Sequence, residues 1–380
     1  MFEIFPDKYV WNLSANIALS SGGQIEEILE ACRPLLDAAG TGEKPGTEDF
    51  FGSWCTVADR QVELADENEA AGRPLSAATR LRRAAIYYQV AERMQARDFA
   101  PRTEAYRKML DAFERSVRLG RDNCELVEVP YESTTLPALF VRARGTDGPA
   151  PVMVHFNGLD STKEMIYWSG IGQELARRGV STLMVDHPGT GGALRLRGLT
   201  AFPESERWGA ACVDYLQGRA DVDPDRIGVM GWSLGGYYAP RAAAFEKRFA
   251  VCVAWGANYN WGELQRRRLE REGENPVPHY WEHVQWVWGK NSLEEFMSFA
   301  PSVTLVGVVG NITVPFLVTH GENDRQIPLD YAHAQYEGAV NSPKRELKIF
   351  TRREGGVEHV SADNQPVATS FIADWVSETL

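Results

Sequence analysis

The stretch Arg226-Ile-Gly-Val-Met-Gly-Trp-Ser-Leu-Gly-Gly236 decides how the rest of the chain is read. Its first half, 226–231, is a short apolar run of the kind that forms a strand buried on both faces. Its second half fits G-x-S-x-G and passes into helical periodicity over 234–246. Strand, tight turn and helix in that order predict a strand-to-helix elbow that holds Ser233 in a strained backbone conformation. Gly231 and Gly235, lacking Cβ atoms, let the neighbouring backbone close around it. The Ser233 hydroxyl then projects at a helix N-terminus, where amide N–H groups and the helix dipole favour negative charge. The five-residue pattern alone recurs by chance. The strand before it and the helix after it separate it from a structural turn with a bystander serine.

On the N-terminal side, short β-rich runs occupy 125–129 and 136–142, separated by the turn-like Glu132-Ser-Thr-Thr135, and read as an antiparallel hairpin. Further apolar runs lie at 151–156, 180–186, 250–255, 314–320 and 346–350. Helical patterns fall between or after them at about 163–178, 205–219, 328–339 and 364–378. Strand alternating with helix predicts an α/β fold: a mostly parallel central sheet with helices on both faces. Residues 1–120 differ. They carry helical patterns at about 24–39, 47–71, 75–97 and 102–119, the last following Pro101 and stopping at Gly120 as a C-cap. Leu81, Ala84, Ala85, Tyr88 and Ala91 recur at helical spacing and read as a packing face. The chain therefore divides into a helical N-terminal cap or lid domain, 1–120, and a catalytic domain, 121–380. The stretch 257–311 breaks the alternation with Trp261, Trp281, Trp286, Trp288, a charged run over 266–274 and several prolines. It reads as a cap insertion over the carboxyl ends of the strands.

An unactivated hydroxyl is a poor nucleophile and needs a histidine base and an acid to orient it. In this strand–elbow–helix context the chain order is serine, acid, histidine. His359 stands after the last strand in the glycine-rich loop Gly355-Gly-Val-Glu-His359, where a base belongs; His333 falls in the 328–339 helical pattern and reads as solvent-facing. The acid is expected after 314–320, in Gly321-Glu-Asn-Asp-Arg-Gln-Ile-Pro328. Asp324 is the choice and Glu322, nearer the strand end, the alternative; the bland reading of Asp324 is a helix cap. A tetrahedral oxyanion needs aimed N–H donors. Leu234, after the nucleophile, supplies one. The loop Asn157-Gly-Leu-Asp160 supplies the other, with Gly158 giving the turn its freedom and Leu159 N–H the expected donor.

The remaining histidines read more plainly. His187, in Asp186-His-Pro-Gly-Thr-Gly191, either lines a pocket or makes a loop hydrogen bond. His155 and His320 lie in strands and read as structural. His279 and His283 are four apart, but without H-E-x-x-H or a third ligand they predict no metal site. No G-x-G-x-x-G follows the first strand and no P-loop lysine is present, so no cofactor is expected.

Composition narrows the class. The chain has 380 residues, 44% hydrophobic and 24% charged, with a formal charge of −12. That is ordinary globular composition, and its acidity opposes nucleic-acid binding. No apolar run approaches the roughly 18 residues of a membrane helix. Residues 1–10 lack the basic and apolar regions of a signal peptide. The five cysteines at 32, 55, 124, 212 and 252 are scattered without a C-x-x-C and read as reduced thiols. A cytoplasmic protein acting on a small molecule is expected, with neither membrane nor nucleic acid as partner.

Residues 125–380 resemble an α/β-hydrolase. Gly158-Leu-Asp-Ser-Thr-Lys-Glu164, Asp186-His-Pro-Gly-Thr-Gly191, Gly231-Trp-Ser-Leu-Gly-Gly-Tyr-Tyr-Ala239 and Trp255-Gly-Ala257 are similar to motifs of the 2,6-dihydroxypseudooxynicotine hydrolase family and of the fungal heptaketide (yellowish-green) hydrolases. They resemble the fermentation–respiration switch esterases more distantly, and the helical N-terminal region fits the same group. The resemblance implies carbon–carbon bond hydrolysis of β-dicarbonyl or related ketones, with ester hydrolysis or acyl transfer on the same residues as alternatives. It carries over a triad of Ser233, Asp324 and His359, and implies a homodimer. It leaves the substrate open, as it does the choice between an acyl-enzyme and direct attack by water. Trp232 varies in such proteins and reads as a specificity residue. Tyr237, Tyr259, Trp261 and Trp281 are candidate pocket aromatics for an aromatic or polyketide-like substrate. Asp160 and Glu164 are candidates for polar substrate groups, Glu164 equally a first-turn helix acid.

Overall fold

The apolar runs become the strands of one sheet: β1 (Glu125–Tyr131), β2 (Thr134–Val141), β3 (Ala150–Phe156), β4 (Ser181–Val185), β5 (Val222–Trp232), β6 (Cys252–Trp255), β7 (Phe316–Gly321) and β8 (Arg345–Phe350). Their order is β1-β2-β4-β3-β5-β6-β7-β8. The β1–β2 and β2–β4 pairings are antiparallel, and every later one is parallel. All residues of β3, β4, β6 and β7 are buried. The runs without polar alternation are thus the strands covered on both faces.

The computed structural model describes residues 2–6, 8–93, 95–271 and 277–380. The chain divides into two compact units, Met1–Cys124 with Gly273–His283, and Glu125–Glu272 with Val284–Leu380. The boundary falls four residues beyond the expected 120, and part of the 257–311 insertion groups with the N-terminal unit. Residues 272–274 of the charged run, and Met94 of the 75–97 pattern, lie outside the described residues.

The N-terminal unit is helical: Tyr9–Ser20, Ile25–Gly40, Thr47–Ala70, Pro74–Glu92 and Pro101–Gly120. The face formed by Leu81, Ala84, Ala85, Tyr88 and Ala91 is buried, as its spacing requires. The first helix has no counterpart in the sequence reading. Its Asn12 and Asn16 side chains fold back on the segment before it, taking the amides of Ile4, Phe5 and Phe2. With Asn12, Ser14 and Asn16 buried, polar residues occupy the inward face and break the apolar period. The cap after Pro101–Gly120 also differs. Gly120 is still helical, and Arg121 takes the left-handed conformation at φ 54°.

Two further departures lie in the second unit. The hairpin turn has two residues rather than four, because Tyr131 pairs with Thr134 and the turn closes through Glu132 at φ 49°. Thr134 and Thr135 are β-branched and extend the strand. The pattern over 163–178 is two helices, Lys163–Trp168 and Ile171–Arg177, divided at Gly170 with φ 83°. Between β6 and β7 the insertion holds the helices Trp261–Glu270, Tyr280–Val287 and Leu293–Phe299. No helix among the described residues is long and apolar enough to cross a membrane.

Candidate active site

β5 runs into Ser233 and the helix Gly235–Phe245, and Ser233 takes φ 58°. For a residue with a Cβ that conformation costs about 1–2 kcal/mol, so the surroundings must impose it. They do so by close approach. A Cβ on Gly231 would lie 2.3 Å from Gly235 O, and one on Gly235 would lie 2.8 Å from both Phe156 O and Asn157 O. The elbow therefore presses against the end of β3. Ser233 N–H donates to Trp255 O at 2.9 Å, and Gly236 N–H donates to Ser233 O at 2.9 Å.

Three side chains from three loops meet there. His359 Nε2 lies 2.9 Å from Ser233 Oγ, and His359 Nδ1 lies 2.8 Å from Asp324 Oδ2. A neutral ring that donates from Nδ1 to the carboxylate and accepts the serine O–H at Nε2 satisfies both contacts. The other Asp324 oxygen accepts the N–H groups of Gln326 at 2.7 Å and Ile327 at 3.0 Å. The Asp324 side chain is 1% exposed. Burial opposes its ionisation, but the attraction and hydrogen bond of His359, the neighbouring His320 and the Ile327 amide overcome this and hold the carboxyl below its ordinary value. Glu322, the alternative acid, is exposed and accepts Arg352 N–H at 2.7 Å instead.

Each loop has its own clamp. Asp363 accepts the amides of Gly356, Val357 and Glu358 at 2.9, 3.2 and 2.9 Å, which shapes the turn leading into His359. His320 is buried. It donates from Nε2 to Ile327 O at 3.0 Å and accepts Ala257 N–H at Nδ1 at 3.2 Å, so it ties the Asp324 loop to the end of β6. Burial lowers its pKa, as that neutral tautomer requires. Asp363 was not foreseen. The one sequence signal is a carboxylate four residues beyond the histidine of a glycine-rich loop.

The loop after β3 lies beside Ser233. A Cβ on Gly158 would come 2.9 Å from Ser233 Cβ and 3.3 Å from its Oγ. The Gly158 N–H is engaged by Ser161 Oγ at 2.8 Å, so Gly158 shapes this loop and does not offer a donor. Leu159, the expected donor, is the next residue and is half-buried. Leu234 stands at the N-cap of the helix Gly235–Phe245, among the amides a helix leaves without internal partners.

The structure redistributes the expected substrate contacts. Trp232, Tyr237, His187 and Trp261 are core residues whose polar atoms or ring faces are engaged within the protein. Trp232 packs between His155 and Trp255, each ring 5.7 Å away, and donates from Nε1 to Ser161 Oγ. Tyr237 donates its hydroxyl to Pro203 O at 3.1 Å. His187 stacks on Trp208, centroids 5.0 Å apart and planes within 4°, and its Nδ1 donates to Pro188 O at 2.9 Å. Burial lowers the pKa of His187 to about 4 and that of His155 to about 3. Trp261 is the centre of an aromatic cluster with Trp288 and Phe296 at 5.4 and 5.6 Å. Glu164 is buried and paired with Lys163, not presented to a ligand. Asp160 and Tyr259 remain half-buried, and Trp281 belongs to the N-terminal unit. His333 is exposed. Among the described residues no group of three or more His, Cys, Asp or Glu side chains is placed to hold a metal.

Comparison with known proteins bears on the family and the fold. A family model described as esterase FrsA-like matches residues 50–260, and one described as the prolyl oligopeptidase family matches 209–380. The chain is 26% identical to 2,6-dihydropseudooxynicotine hydrolase of Paenarthrobacter nicotinovorans, over 93% of each chain. It is 28% identical to hydrolase LUC6 of a Fusarium species, over 87% of this chain and 88% of that one. The crystal structure of 2,6-dihydroxy-pseudo-oxynicotine hydrolase superposes with TM-score 0.77 at 24% identity, covering 96% of this chain and 95% of the other. That of AbyA5 superposes with TM-score 0.60 at 20% identity, over 85% and 92%. The shared architecture is the α/β-hydrolase fold.

Proposed function

The chain belongs to the FrsA-like esterase family of α/β-hydrolases and is a hydrolase, and from that membership we propose that Ser233, His359 and Asp324 form its catalytic triad and that it cleaves a carbon–carbon bond next to a ketone. The observation that carries this reading is the continuous hydrogen-bonded line from Asp324 Oδ2 through His359 to Ser233 Oγ, at 2.8 and 2.9 Å, ending on a serine held in left-handed backbone.

His359 takes the Ser233 proton as Oγ attacks the carbonyl carbon. The oxyanion is held by the Leu234 and Leu159 N–H groups. Asp324 fixes the ring and stabilises the imidazolium. Collapse of the tetrahedral intermediate expels a carbanion that is stabilised as the enolate of its own neighbouring carbonyl and protonated by His359. Water, with His359 as base, then releases the acid from Ser233. An ester follows the same steps with an alcohol as leaving group, and an alcohol or amine in place of water gives acyl transfer. The preference for carbon–carbon cleavage is supported by the full-length likeness to a hydrolase of a pseudooxynicotine and by the β-dicarbonyl chemistry that the motif resemblance implies.

The test is product analysis with an aryl β-diketone and p-nitrophenyl acetate, in the parent and in Ser233→Ala. The expected products are one acid and one ketone from the diketone, with both turnovers reduced by about 10⁴-fold or more in the variant. Ester hydrolysis with an intact diketone would select the esterase alternative. A product ester that appears only with added alcohol would select transfer.

A further inference from the structure

The loop 157–161, which carries Leu159, is fixed by side chains that the chemistry above does not use. Ser161 is at its centre, 5% exposed. Its hydroxyl donates to Asn157 Oδ1 at 2.8 Å and accepts from Gly158 N–H at 2.8 Å and from Trp232 Nε1–H at 3.0 Å. One donor and two lone pairs are all a hydroxyl has, and all three are used. Trp232 immediately precedes Ser233, so the last bond ties the oxyanion loop to the segment that carries the nucleophile. On the far side, Asn157 Nδ2 donates to Val185 O at 3.0 Å and to Asp186 Oδ1 at 3.1 Å. Asp186 is wholly buried and also accepts Lys163 N–H at 2.8 Å, Gly192 N–H at 2.8 Å and the Lys163 ammonium at 3.2 Å. The backbone wraps this carboxylate closely, since a Cβ on Gly191 would lie 2.0 Å from Asp186 Cγ. The loops after β3 and β4 are thus one hydrogen-bonded body, joined to the elbow by the Ser161 hydroxyl.

We propose that Ser161 is a positioning residue for the oxyanion site, the relay through which Trp232 and the Asp186-anchored Asn157 fix Leu159 against Ser233. The inference rests on the reading of Ser233 as nucleophile. Oxyanion donors work because they are aimed before charge develops, and a misplacement of about 1 Å costs on the order of 100-fold in rate. Removing the Ser161 hydroxyl releases the Gly158 amide, Asn157 Oδ1 and the Trp232 indole together. The loop relaxes, and transition-state stabilisation is lost while binding of the uncharged substrate is kept.

The test is steady-state kinetics of Ser161→Ala, Trp232→Phe and the double variant, beside the parent and Ser233→Ala, with p-nitrophenyl acetate and melting temperatures recorded for each. Ser161→Ala is expected to lower kcat about 30–100-fold with KM within twofold. Trp232→Phe keeps an aromatic ring, smaller than the indole, and loses the one hydrogen bond, and is expected to lower kcat roughly 5–10-fold. The double variant should be no slower than Ser161→Ala, because both substitutions cut one relay. The proposal is overturned if Ser161→Ala keeps kcat within twofold, if its loss appears equally in KM and melting temperature, or if the two substitutions add. Should Ser161→Ala not fold, Trp232→Phe decides by the same kcat-against-KM split. Turnover that survives Ser233→Ala sinks the nucleophile reading as well. Full dependence on Ser233 with an unaffected Ser161→Ala sinks the relay alone.

Discussion

Residue by residue, the site is a set of strained or crowded positions held by their neighbours. Gly158 is crowded against Ser233, a Cβ there lying 2.9 Å from Ser233 Cβ. Gly158→Ala is expected to reduce kcat by at least about 100-fold, through displacement of Ser233 or of the oxyanion loop. Steady-state kinetics checks this, and an alanine variant of parental rate would mean that the loop is not part of the site. Asp324→Asn keeps the shape but gives His359 no carboxylate, and a loss of about 10⁴-fold in kcat is expected. The buried histidines make a separate prediction about stability. His187 and His155 have pKa values lowered by burial to about 4 and about 3, against about 6.5 when unfolded. The unfolded chain binds protons first, so their contribution is full above pH 6.5 and is lost as the pH falls toward those values. Melting temperature should therefore decline between pH 6.5 and 5, before most carboxylates titrate, and His187→Gln should flatten the decline. The same slope in that variant would count against it. That Ser233, His359 and Asp324 would come together was legible from chain order and loop position. The Asp186–Asn157–Ser161–Trp232 chain was not, because its members lie in three separate segments and each is an ordinary polar or aromatic residue until the fold brings them together.

Among the strands and helices, continuous apolar runs marked β3, β4, β6 and β7, since burial on both faces leaves a composition signal that needs no period, whereas β1, whose burial alternates, was read from its β-rich residues and the turn after it. The misreadings occurred where a local backbone feature overrode composition. Two threonines extended a strand instead of making a turn. Asparagine side chains hid the first helix, and Gly170 cut one helical pattern into two. Gly170 is a place to measure this. Its φ is 83° and a Cβ there would meet no atom within 4 Å, so Gly170→Ala meets strain without a clash. A loss of about 1 kcal/mol in unfolding free energy is expected. A denaturant midpoint equal to the parent's would show that the helix break does not depend on left-handed backbone. The helices of the insertion show the limit of composition from the other side. Trp261 and Trp288 read as substrate or lid aromatics, yet they pack on one another and on Phe296 and Phe299 as a small core.

Taken entire, the chain is longer than a minimal hydrolase core by roughly its N-terminal hundred residues. The FrsA-like match over residues 50–260 crosses the unit boundary at Cys124 and Glu125, so the helical unit is part of the family pattern and not an unrelated attachment. We propose that the protein is a homodimer acting on a small molecule. Sedimentation equilibrium is expected to give about twice the 42.4 kDa chain mass, and the mass of a single chain would contradict that. The proposed chemistry turns on one oxygen atom, Ser233 Oγ. Intact-protein mass spectrometry after exposure to a fluorophosphonate reads its reactivity, with the adduct located by peptide mapping. A single adduct on Ser233, abolished in Ser233→Ala, is expected; an adduct on another residue, or equal labelling of the variant, would show that Ser233 is not the nucleophile.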